Sequence, residues 1–91
     1  MAETRALPGA DLVEEGLVDL ARGVESVASL LVAIGAPRLR QLGVAVPSTP
    51  DHPEHRLYNL LSREDANSAH ARYNALIRRL VSYEHARTCV S

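Results

Sequence analysis

Apolar residues recur along this chain at alternating steps of three and four in two long stretches. The first runs through Val13, Leu17, Leu20, Val24, Val27, Leu31 and Ile34, the second through Ala66, Ala69, Tyr73, Leu76, Leu80 and Tyr83. That spacing is what an α-helix with one buried seam produces. On the first stretch Glu14, Glu15, Asp19, Arg22, Glu25 and Ser29 fall opposite the seam, with Val18 the one large apolar residue among them. From Leu30 to Ile34 the chain is apolar nearly all round, which predicts burial by more than one neighbour.

Capping residues and helix breakers set the predicted boundaries. Pro8-Gly9 ends a flexible lead-in over residues 1–10, and a long helix is predicted over 11–35, with Asp11 and Glu14 as the two halves of a capping box. Gly16 and Gly23, seven apart on the margin of the seam, are either points of close helix approach or simply tolerated. Gly35 suits the left-handed position past a last turn, and Pro37 would clash with the Ala33 carbonyl in a continuing helix. A short helix over 37–42, closed by Gly43, is predicted to follow, then a Pro-rich crossing loop over 43–52 containing Pro47 and Pro50. Pro53, capped by Asp51 or His52, opens a short helix over 53–61. Projected on one continuous helix, Leu57, Leu60 and Leu61 lie roughly 150° from the Ala66–Tyr83 seam, so a single rod would need burial on opposite sides. Ser62 with Asp65 forms a second capping-box pattern, placing a break at Ser62 to Glu64 and a final long helix over 63–88.

These elements make an all-α fold: a helical hairpin with short extra helices in one domain over 1–91. Ninety-one residues bury only about 60–65% of their unfolded surface, and a hairpin offers one partner to each seam. A homodimer completing a four-helix-type bundle is the expected solution. Composition agrees, because three Tyr with no Phe or Trp leave the core to Leu, Val, Ile and Ala.

All ten basic residues are Arg, and the net charge of −1 argues against a general binder of nucleic acid or anionic membrane. The charge is uneven. Residues 1–35 carry a net −4 and residues 56–91 a net +3, so an acidic first helix and a basic last helix attract if packed together. A basic surface for RNA on the last helix is the alternative use of that charge. The single cysteine, Cys89, makes no internal disulfide, the N-terminus has no secretory signal pattern, and the longest apolar run, Leu30 to Ala36, is short of the roughly 20 residues that span a bilayer. A soluble cytoplasmic protein is expected.

Candidate chemistry gathers beside the second seam. Arg63, Asn67, His70 and Asn74 are spaced four, three and four apart, and Arg78 and His85 continue the line, so a polar rail is predicted along the last helix. One reading makes it a hydrogen-bonded rail that satisfies a neighbouring helix or the Pro-rich loop. The other comes from a motif: Arg63 and His70, separated by six residues, resemble the Arg-x(4–6)-His motif of HEPN domains. The resemblance implies a small, often dimeric all-α protein in which paired Arg and His cleave RNA without metal, or which partners a nucleotidyltransferase. It would make His70 the general acid/base and Arg63 the group that stabilises phosphate charge; Asn67, Asn74 and Arg78 are candidate binding residues by their place on the rail. Glu64 follows Arg63 where that family often has Asn, Asp or His, and Arg78 or Arg79 with His85 matches the spacing too.

Asp51-His52-Pro53-Glu54-His55 concentrates potential metal ligands, but no second cluster completes a shell around His52 and His55, so a charged helix start is the expected role. No Glu-x-x-His pair, Gly-rich phosphate loop, Gly-x-Ser-x-Gly or Cys-x-x-Cys is present, and no cofactor is expected. The preferred function is that of a small dimeric helical interaction or scaffold module, with the HEPN-like ribonuclease or nucleotidyltransferase partner as the alternative.

Overall fold

A computed structural model describes residues 7–90, apart from the side chain of Val90. The described residues form four helices and no strand: α1 (Ala10–Ala21), α2 (Val27–Gln41), α3 (Pro53–Glu64) and α4 (Ala69–Val90). The fold is all-α. Most of the predicted lead-in, residues 1–6, lies outside the described residues. Helix α2 occupies the middle, and α1, α3 and α4 each pack on it. Leu30, Leu31, Val32 and Leu39 are fully buried, with Ala28, Ala33 and Ala36 close behind, so the apolar girth of this segment is covered on every side. None of the described helices is long and apolar enough to cross a membrane.

The long helix predicted over 11–35 is two helices. Gly23 takes φ +73° past the last turn of α1, where the Gly23 N–H donates to the Leu20 carbonyl at 3.1 Å and the Val24 N–H to the Asp19 carbonyl at 2.8 Å. That pair of bonds is a Schellman stop. Three residues later a new helix is capped: the Ser29 N–H donates to Ser26 Oγ at 3.1 Å and the Ser26 N–H to Ser29 Oγ at 2.7 Å. Ser26 Oγ also donates to Asp19 Oδ2 at 2.7 Å, tying the two helix ends together. Ser29, expected on the wet side, is therefore buried. The seam ran unbroken through the sequence because the two helices present their apolar faces to each other, and only Val24, in the turn, is left outside.

Of the two glycines on that margin, Gly16 is the point of close approach. A Cβ there would stand 2.3 Å from the Ala28 carbonyl oxygen and 2.4 Å from Val32 Cγ2, so the α1 and α2 backbones touch. The start of α1 also differs from the capping box expected. Gly9, not Asp11, is the N-cap, and no side chain caps the helix. Asp11 sits inside the first turn, where its charge still suits the helix dipole, and pairs with Arg79 Nη2 at 3.4 Å.

Gly35 and Pro37 do not stop the helix, and the separate helix predicted over 37–42 is the last part of α2. Gly35 is needed for space: a Cβ would meet the Leu80 methyls at 2.9 and 3.0 Å, where α4 crosses. Pro37 lies on the exposed side, and the full burial of Leu39 beyond it offsets much of the roughly 3 kcal/mol that an internal proline costs. Helix α2 ends at Gly43, φ +90°, with the Val44 N–H on the Leu39 carbonyl at 3.0 Å. The Pro-rich loop then returns the chain to the start of α2, held by Arg40 Nη2 on the Pro47 carbonyl at 3.0 Å.

Helix α3 opens at Pro53 behind His52 and runs to Glu64, past the predicted end at 61. The break before the last helix falls at 65–68, not at Ser62 to Glu64. Asp65 makes it: its Oδ1 accepts from the Asn67 N–H at 3.1 Å and its carbonyl from the Ser68 N–H at 3.2 Å. The turn reorients the apolar faces, so that Leu57 and Leu61 of α3 and Ala69, Leu80 and Tyr83 of α4 all reach the core, while Ala66 is exposed in the turn.

Gly16→Ala is expected to lower the unfolding free energy by about 2 kcal/mol or more, despite a gain of about 1 kcal/mol in helix propensity. Gly23→Ala, with no atom within 4 Å of its Cβ, pays only for φ +73°, about 1 kcal/mol. Urea denaturation of the two variants beside wild type measures the difference. Ser26→Ala removes the cap from α2 and one partner of the buried Ser29, and the same titration should show a loss of about 1–2 kcal/mol.

Candidate functional site

The predicted polar rail is divided among three elements. Arg63 stands in the last turn of α3, Asn67 in the intervening turn, and His70, Asn74 and Arg78 on α4, all of them exposed. Because Asp65 ends α3 where it does, Arg63 and His70 do not share a helix face, and the four-three-four spacing has no common axis. Arg63 lines an open depression of about 490 Å³ with Glu25, Arg56, Asn59 and Ser62. His70 Nε2 lies 3.2 Å from Asn74 Nδ2, a contact along the first turns of α4. The rail thus survives as one bonded pair, with Arg78 one turn beyond in a separate depression beside Pro8, Gly9, Ala75, Arg79 and Ser82.

Alongside His70 and Asn74 runs an apolar strip. Tyr73, Ile77 and Val81 recur every four residues on α4, the first two partly buried and Val81 44% exposed. Tyr58 of α3 extends the strip sideways, its ring 5.7 Å from that of Tyr73 and inclined at 55°. Burial, and secondarily the charge of Glu54, raises the Tyr73 phenol above its ordinary value, so it remains a neutral hydroxyl.

His52 and His55 begin α3 on exposed positions, and His52 takes a left-handed φ of 53° as N-cap without a side-chain capping bond. Among the described residues no three His, Cys, Asp or Glu side chains gather as metal ligands. Cys89 is a free thiol near the end of α4, in an open depression with Arg38, His85 and Thr88.

Two arrangements could not be found from sequence spacing. Arg56 Nη1 pairs with Glu25 Oε1 at 3.0 Å and its Nε donates to the Asp51 carbonyl at 2.7 Å, so α3 is tethered to the α1–α2 turn across 31 positions. Glu84 projects from α4 over Gly35, its carboxylate 3.1 Å from where a Cβ would be. Burial pushes the Glu84 carboxyl up, against the smaller opposing pull of Arg38 and His85. The one sequence signal for that placement was a small residue in a segment apolar all round.

No known protein family, no curated protein and no solved structure matches the chain.

The raised Glu84 carboxyl carries a pH signature. A carboxyl raised on folding holds its proton more tightly in the native state, so its contribution is present below the ordinary value of 4.5 and is lost as pH rises through the folded one. Glu84→Gln should therefore be more stable than wild type at neutral pH, with the gap shrinking as the solution is acidified toward 4.5. Thermal unfolding midpoints of the pair across that range measure it, and a constant gap would place the effect outside Glu84 titration.

Proposed function

We propose that the chain is a dimeric helical interaction module that holds a partner helix against the α3–α4 layer. The supporting observation is the strip formed by Tyr58, Tyr73, Ile77 and Val81, which is continuous over two elements and bordered by the His70–Asn74 pair. Singly exposed apolar side chains are ordinary, but a line at helical spacing beside polar groups is the form that receives an amphipathic helix. Chain size supports the dimer, since a domain this small gains much by adding buried surface.

The HEPN-like alternative assigns catalysis to Arg63 and His70. Those side chains sit on α3 and α4 among different neighbours, and no contact between them favours the alternative over the interaction reading. The two readings part in one experiment. RNA incubated with the protein in excess EDTA is expected to remain intact, and cleavage that is lost in His70→Ala would establish the ribonuclease instead. Light scattering at micromolar concentration is expected to give twice the 9.9 kDa of one chain, and a mass near 9.9 kDa would remove the dimer.

A further inference from the structure

Building on the dimeric reading, we infer that two copies of this chain associate by laying α1 of each protomer on the outer face of α4 of the other. Charge is the first ground. Helix α1 carries Asp11, Glu14, Glu15 and Asp19 with no base, while α4 carries Arg72, Arg78, Arg79 and Arg87 against the single acid Glu84. Within one chain this complementarity is scarcely used. The Arg79–Asp11 pair, at 3.4 Å, is the one ion pair between the two helices among the described residues. Arg72 is held by Glu64, Arg87 by the Leu42 carbonyl, and Asp19 by Ser26. The side chains of Glu14, Glu15 and Arg78 make no hydrogen bond or ion pair among the described residues.

Geometry is the second ground. The entry to α1 crosses α4, since a Cβ on Gly9 would stand 2.9 Å from the Arg79 carbonyl oxygen and 3.6 Å from Tyr83 Cβ. The acidic and basic faces therefore meet on one surface, and between them Pro8, Gly9, Ala75, Arg78, Arg79 and Ser82 line an open depression of about 390 Å³. A surface that holds both a patch and its complement is closed by a two-fold axis, which makes each contact twice. Val18, 53% exposed, stands on the outer face of α1 among Asp11, Glu14 and Glu15 and supplies the apolar contact at the centre. Opposite it, Ala75 and Ser82 flank Arg78 with short side chains. Helix α4, about 33 Å long against about 18 Å for α1, has length for the partner's helix beside its own crossing.

Charge exchange tests this assignment. Glu15→Arg and Arg78→Glu alter side chains that make no hydrogen bond or ion pair among the described residues, so both variants should keep wild-type circular dichroism, and their thermal midpoints should match wild type at concentrations too low for the dimer. Each alone places like charges together twice per dimer and should weaken the dimer at least about tenfold by light scattering or sedimentation. An equimolar mixture restores both contacts and should return the dimer to within about threefold of wild type. A wild-type dimer that neither variant weakens overturns the assigned faces while leaving the dimeric reading standing. Weakening by both without recovery on mixing also overturns the α1–α4 pairing. A monomeric wild type overturns both the pairing and the dimer.

Discussion

From Ala28 to Ala33 helix α2 has no side that water can face. From Leu30 to Leu39 its large apolar residues point in all directions, and no single neighbouring helix covers more than one stripe of another. Three helices are therefore needed around it, and the rest of the chain is arranged to supply them. The Gly23 turn folds α1 back on one side, the Pro-rich loop carries the chain the length of α2 so that α3 can cover a second, and the Asp65 turn swings α4 onto the third. Two glycines set the distances. At Gly16 the α1 backbone rests on the Ala28 carbonyl, and at Gly35 the Leu80 side chain of α4 fills the place of a Cβ. A residue that weakens a helix is tolerated at both places because the packing it admits outweighs its propensity cost.

This arrangement explains which parts of the fold were legible in the sequence. Helical periodicity identified the two long seams, Pro53 and its cap located the start of α3, and the apolar girth at Leu30–Ile34 foretold several neighbours for one segment. Boundaries were harder for one physical reason: the strongest breakers did not act alone. Pro37 lies within α2 because Leu39 is buried beyond it, whereas the stop at Gly23 was hidden under a seam that continues from one helix to its antiparallel neighbour. Ser26 and Ser29 were the available signal, a reciprocal cap built from two serines where a glutamate is more common at the second position. The angular mismatch of Leu57, Leu60 and Leu61 required a break ahead of the last helix, and Asp65 set its place through its own side chain.

The same displacement decides what remains of the polar rail. A line of side chains on a helix depends on a shared axis, and ending α3 at Glu64 gives Arg63 and His70 different axes. Arg63 now belongs with Arg56 and Glu25, a grouping assembled from two elements that spacing along one helix cannot reveal. His70 and Asn74 keep their register because both lie beyond the turn. The candidate site was thus legible where it stayed within one helix and was lost where it crossed a boundary.

Charge separation in the chain has a related consequence. An acidic first helix and a basic last one suggested side-by-side packing, but α2 stands between most of their lengths and leaves them one crossing at Gly9 and Asp11. Surface ion pairs contribute little singly, on the order of 0–1 kcal/mol each, so their loss inside the chain is small beside the burial of α2. Packing therefore fixes the helix order, and the charges that it leaves unpaired are carried outward. Opposite charge on neighbouring faces of one surface directs how a molecule meets another copy of itself more than how it folds. Apolar contacts around α2 thus specify the fold of the single chain, and the charged faces of α1 and α4 are the part of the surface on which the proposed pairing of two copies rests.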